Sequence, residues 1–167
     1  MNWKRIGLLT FAVFFLGFCT GTGIKICYEA TSFKPYAWEK APQVVNCYGK
    51  DFNKYQFERA IEYWKIRGEK IAGYIHEPDP EICKKRWANN MIIIRKSRNL
   101  GQNTLASTKR MTTAGTLISA IIHYSPGAQN LHLLNEHELG HALGYGHVEK
   151  EGHVMHPLYH KMGMDFY

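Results

Sequence analysis

The stretch "HELGHALGYGH", His137 to His147, constrains this chain more than any other part of it. His137 and His141 stand four residues apart, about one helical turn, so both project from the same helix face. Gly144 tolerates positive φ, so it ends that helix and turns the chain back to bring in His147. Three imidazole nitrogens with a fourth position left open are the donor set of a catalytic zinc site. Glu138 is placed beside them as a general base, taking a proton from a metal-activated water that attacks a carbonyl. A bare H-E-x-x-H is a weak signal, and the added glycine and third histidine make it far more specific. The plain alternative is a helix with surface histidines and a glycine C-cap.

The 167 residues suit one domain with a proper core. Residues 43–48, "QVVNCY", form a β-rich run. Asp51 is the expected cap of a helix whose apolar positions Phe57, Ala60, Ile61 and Trp64 follow helical spacing, ending at Gly68. "KIAGYIH" reads as a second strand, broken by the Pro-rich loop "EPDPEICKK". "NMIIIRK" is a continuous apolar run, as in a strand buried on both faces. The run Leu105 to Met111 is more polar and suits an edge strand, whereas "TLISAIIHY" is too apolar for an edge. "NLHLLNEHELGHAL" is the last helix, with Asn130 as expected N-cap. The order β-α-β-β-β-β-α predicts an α/β (α+β) fold: a twisted, mixed, five-stranded sheet with two main helices.

The histidine stretch resembles the zinc signature of the metzincin metalloendopeptidases, H-E-x-x-H-x-x-G-x-x-H followed by a Met-turn. The counterpart of that turn is "HVMHP", with Met155 eight residues after His147. This spacing, with Pro157 and Tyr159 beyond it, is most similar to the matrixin branch. The resemblance implies one zinc ion on His137, His141 and His147, with Glu138 as general base and Met155 as a hydrophobic floor beneath the metal. It implies a pocket at Pro157 and Tyr159 for the substrate side chain after the cut bond. It also implies that an extended substrate lies antiparallel on the edge strand, where Ser107 and Thr108 are the expected contacts. Lys109 and Arg110 would add a mild preference for acidic residues. Val148 stands where matrixins usually have serine, and Pro157 stands where an astacin has its tyrosine. A cysteine-switch propeptide is not visible, the few aspartates argue against acidic calcium loops, and the C-terminal subdomain is expected to be minimal. His153 and His156 read as solvent-exposed turn residues, with substrate contact as the alternative.

Lys4 and Arg5 precede an uncharged apolar run from Ile6 to Phe18, the pattern of a secretory signal. Counting on to Ile24 the segment just reaches spanning length, so residues 1–26 are a signal peptide or a membrane anchor. Residues 27–42 read as a linker and 43–167 as the metallopeptidase domain. Export favours a disulfide, for which Cys47 and Cys83 are the preferred pair, with free thiols as the alternative. The net charge of +7 is carried by small clusters, without a nucleic-acid module, so no nucleic-acid partner is expected. The expected protein is a monomeric zinc-dependent metalloendopeptidase acting on protein or peptide substrates. It is secreted, periplasmic, or tethered to a membrane through an uncleaved N-terminal segment. The competing function is a non-catalytic, zinc-stabilised surface or virion-associated binding module that retains the fold. Glu138 separates the two, because a structural site needs no base and closes its fourth position.

Overall fold

The computed structural model describes residues 34–97, 99–101 and 103–166. The expected signal peptide or anchor, residues 1–26, lies outside the described residues. The elements in chain order are β1 (Ala37–Trp38), β2 (Gln43–Asn46), α1 (Lys54–Ile66), β3 (Gly73–Ile75), α2 (Pro80–Lys84), β4 (Met91–Lys96), β5 (Ala106–Thr113), β6 (Thr116–Tyr124) and α3 (Leu134–Leu143).

One mixed sheet runs in the order β3-β2-β4-β6, with β5 and the short β1 both on β6. β5 is the antiparallel strand, and the other pairings are parallel. Parallel strands need both faces covered, and the sequence of β4 reflects this: Ile92, Ile93 and Ile94 are all fully buried. β5 pairs with β6 alone among the described strands and keeps half-exposed side chains, so it is one edge of the sheet, with β3 at the other.

α1 and α3 pack together over one face of the sheet. α1 buries Phe57, Ala60, Ile61, Tyr63 and Trp64, a stripe at helical spacing. The Trp64 indole Nε1 donates to the Glu136 carbonyl of α3 at 2.7 Å. The helix starts at Asn53, whose side chain accepts from the Gln56 amide, and not at Asp51. Phe52, buried between them, closes a turn onto Gly49 and delays the start.

α3 also starts later than expected. Asn130 lies in a single 3-10 turn, Ala128–Asn130, and is not the cap. Leu133, in the left-handed region at φ 63°, precedes the helix without any side-chain cap bond. Leu133 and Leu134 are both buried, so packing sets this start where a surface helix would use a polar cap.

Two further segments depart from the sequence reading. Cys83 lies in α2, a short helix capped by Asp79 with Pro80 at its first position, and not in a loop. Its disulfide to Cys47 has a Cα–Cα distance of 5.4 Å and staples the end of β2 to α2. Across a separation of 36 residues, the chain-entropy account makes such a link worth roughly 3–4 kcal/mol. Residues 34–42, read as linker, are docked: β1 adds to β6, and Trp38 Nε1 donates to the Ala142 carbonyl at 2.9 Å. Among the described residues no helix is long and apolar enough to cross a membrane.

Candidate metal centre

α3 carries His137, Glu138 and His141, and Gly144 ends it at φ 114°. A Cβ on Gly144 would lie 2.1 Å from the Tyr36 carbonyl oxygen, so close backbone approach demands glycine as strongly as the dihedral does. The chain then reverses and returns His147 to the helix face. His141 Nε2 lies 3.0 Å from His137 Nε2 and 3.1 Å from His147 Nε2. Ligand atoms of the three histidines all fall within 4.8 Å of one another.

The outer nitrogens explain what these contacts are. His137 Nδ1 is 2.9 Å from the Val154 carbonyl, and His141 Nδ1 is 2.9 Å from the Tyr145 carbonyl. A carbonyl only accepts, so each Nδ1 carries the proton and each Nε2 presents a lone pair. Burial, joined by neighbouring positive charge, pushes His137 down to about 3 and His141 to about 4, so both stay neutral near pH 7. Burial lowers His147 as well. Two lone pairs facing each other at 3.0 Å repel unless a cation lies between them. Nitrogens bound to zinc at 2.0–2.1 Å in a tetrahedron stand roughly 3.3 Å apart, close to the spacings here. The donor set, the outer hydrogen bonds and the spacing all fit zinc.

Glu138 is buried to 5% exposure, and its Oε2 accepts a 2.6 Å hydrogen bond from the Thr108 hydroxyl. Burial pushes its carboxyl up to about 7, with the Thr108 bond opposing the shift. That range suits a general base at neutral pH.

Met155 is fully buried under α3. A Cβ on Gly140 would lie 2.4 Å from both Met155 Sδ and Trp64 Cζ2, so the Met-turn and α1 press against the helix between His137 and His141. His153 and His156 are buried, contrary to the expectation of exposed turn residues. For His153 the reason lies in the last residues, which fold back over the turn. Val154 N donates to the Asp165 carbonyl at 2.9 Å. His153 Nε2 meets the Phe166 carbonyl at 2.8 Å, while its Nδ1 accepts from Met155 N at 2.9 Å. His153 therefore holds the Met-turn from beneath.

Gly140→Ala gives the first test of this packing. In an open helix the change stabilises by about 1 kcal/mol. Here overpacking reverses the sign, and a loss of about 1–3 kcal/mol is expected in urea denaturation. An unchanged or raised midpoint would refute the close packing.

A cleft of about 620 Å³ opens over the histidines. Ser107, Thr108, Pro157 and Tyr159 line it together with His137, Glu138, His141 and His147. Met155 lies below it, and the Cys47–Cys83 link is not part of its wall. Leu134, Leu158 and Met162 add apolar wall that the sequence reading did not assign. Leu134 precedes His137 by three residues, so helix periodicity could have found it.

The register of β5 separates Ser107 from Thr108. Leu105 O accepts from Ser125 N at 2.9 Å, which marks these partners as a hydrogen-bonded pair. Antiparallel pairs alternate, so Ser107 and Lys109 spend their backbone groups on β6. Ala106, Thr108 and Arg110 turn theirs to the free edge. Lys109 is absent from the cleft wall; burial, joined by the charges of Lys109 and Arg95, lowers His123 on the neighbouring strand.

The family model of the matrixins matches residues 47–166, most of the described chain. No curated protein matches the chain.

Proposed function

The chain belongs to the matrixin family, and from that premise we propose that it is a zinc-dependent metalloendopeptidase. The observation that carries this reading is the pair of facing Nε2 atoms beside a buried carboxylate, all open to one cleft. His137, His141 and His147 would hold the metal. Zinc supplies Lewis-acid activation of a peptide carbonyl and of water. Glu138 takes the proton of the attacking water and passes it to the departing amine, with Thr108 fixing one carboxylate oxygen. The free edge of β5 binds the peptide extended and antiparallel, through backbone groups of Ala106, Thr108 and Arg110. Pro157 and Tyr159, with Leu134 and Met162, form an apolar pocket for the side chain after the cut bond.

The Cys47–Cys83 disulfide supports an oxidising location outside the cytoplasm. Residues 1–26 then serve as signal or anchor, and 43–167 form the catalytic domain, onto which residues 34–42 dock. The reading is tested with a proteome-derived peptide library. Cleavage enriched for an apolar residue just after the cut is expected, lost with a zinc chelator and restored by zinc. A chain that holds zinc yet cuts nothing would favour the binding module. Cleavage indifferent to the chelator would remove the metal from the mechanism.

A further inference from the structure

Arg110 is the lysine or arginine that lines the cleft, and among the described residues no carboxylate pairs with it. Its side chain lies on the α3 side of β5, as that of Thr108 does. The guanidinium sits 5.2 Å from the centre of the Tyr36 ring, and its Nη1 lies 3.4 Å from the carbonyls of His141 and Tyr145. Those are long bonds made by one nitrogen, so most of the five donors of the fork remain available. The charge is thus held in place on one side and uncompensated on the other.

Its position along the cleft follows from its neighbours. Thr108 bonds Glu138, which marks the reacting bond. Arg110 stands two residues further along β5, at the C-terminal end of α3, whereas Leu134 of the apolar pocket stands at the N-terminal end. The backbone of Arg110 faces the free edge. A substrate residue paired with it in a ladder puts its side chain on the same face, next to the guanidinium. Opposite charges at such cross-strand positions attract.

We propose that Arg110 selects peptides with Asp or Glu two or three residues before the cut bond. This rests on the peptidase reading above and on its assignment of the apolar pocket to the residue after the bond. Arg110 recognises the carboxylate by the free edges of its fork and supplies no catalytic group.

The test uses the full, zinc-loaded chain and peptides that share an apolar residue after the cut. They differ only in carrying Glu, Gln or Lys two residues before it, with a second set varied at three. At one of the two positions kcat/KM should be about five-fold higher for Glu than for Gln, as for a favourable but solvent-touched ion pair, and lowest for Lys. Raising the salt should narrow the gap. Arg110→Glu should invert the order, even if lost helix-end contacts slow all three peptides. Arg110→Gln, which keeps hydrogen-bonding capacity, should flatten the preference and serves if the charge reversal does not fold. Equal kcat/KM for the three wild-type substrates at both positions would overturn the inference alone. So would an order unchanged in Arg110→Gln. If none of the peptides is cut, the peptidase reading falls and the inference falls with it.

Discussion

Replacing Glu138 with glutamine should lower kcat on a fluorogenic peptide by about 10²–10⁴-fold, the usual worth of general-base catalysis. The substitution keeps the size of the side chain, and its amide oxygen can still accept the Thr108 hydroxyl that now binds Oε2. None of the three histidines is touched, so the zinc content should match that of the parent. Stability should hold as well, since burial already disfavours the ionised carboxyl and has raised it to about 7. The diagnostic result is therefore a lost rate with an unchanged melting curve and unchanged metal. An active Glu138→Gln chain would leave the reaction without its proton acceptor. A chain that loses zinc together with activity would instead make Glu138 a part of the metal site.

The placement of Glu138 beside the histidines is legible in the sequence because it depends on short-range spacing, which a helix converts directly into geometry. His137, His141 and Gly144 were legible for the same reason. β4 is legible because burial on both faces leaves a continuous apolar run, and β6 because it is too apolar for an edge. Features that depend on distant packing could not be read in this way. α3 begins at Leu134 because Leu133 and Leu134 are buried against the rest of the fold, and no local signal competes with Asn130 as a cap. His153 looked like a surface turn residue, since its two partners, Met155 N and Phe166 O, meet it only once the closing segment has folded back. The edge-strand reading gives Thr108 a backbone contact to substrate and says nothing of its side chain. Its hydroxyl was found on Glu138 because the parity of β5 is set by pairing with β6, which composition does not encode. Gly140 carries a local signal of tight packing. A glycine inside a helix costs about 1 kcal/mol relative to alanine and asks for a packing reason, here Met155 and Trp64.

His141→Ala should abolish tight zinc binding. His141 is the hub of the cluster, with its Nε2 at 3.0 Å from His137 and 3.1 Å from His147. Its loss leaves two donors, one of them on the exposed loop after Gly144. Changes to the outer partners of metal ligands alone cost about 10–100-fold in affinity, so removing a ligand should exceed about 100-fold. Elemental analysis after dialysis against a weak chelator should find one zinc per parent chain and substantially less in the variant. Thermal melting supplies an independent reading. Zinc at 100 times its dissociation constant stabilises a folded chain by about 2.7 kcal/mol, so added zinc should raise the parent's melting temperature and leave the variant's unmoved. The metal-free forms should differ much less, because two changes oppose each other. The alanine removes a lone-pair repulsion at 3.0 Å, and it also takes the Nδ1 donor from the Tyr145 carbonyl, where Arg110 stays within 3.4 Å. Full zinc content in His141→Ala would mean that the metal sits elsewhere, and the assignment of the three histidines would fail. A large loss of metal-free stability would instead make His141 a structural strut, and its defect in zinc binding would then say little about ligation.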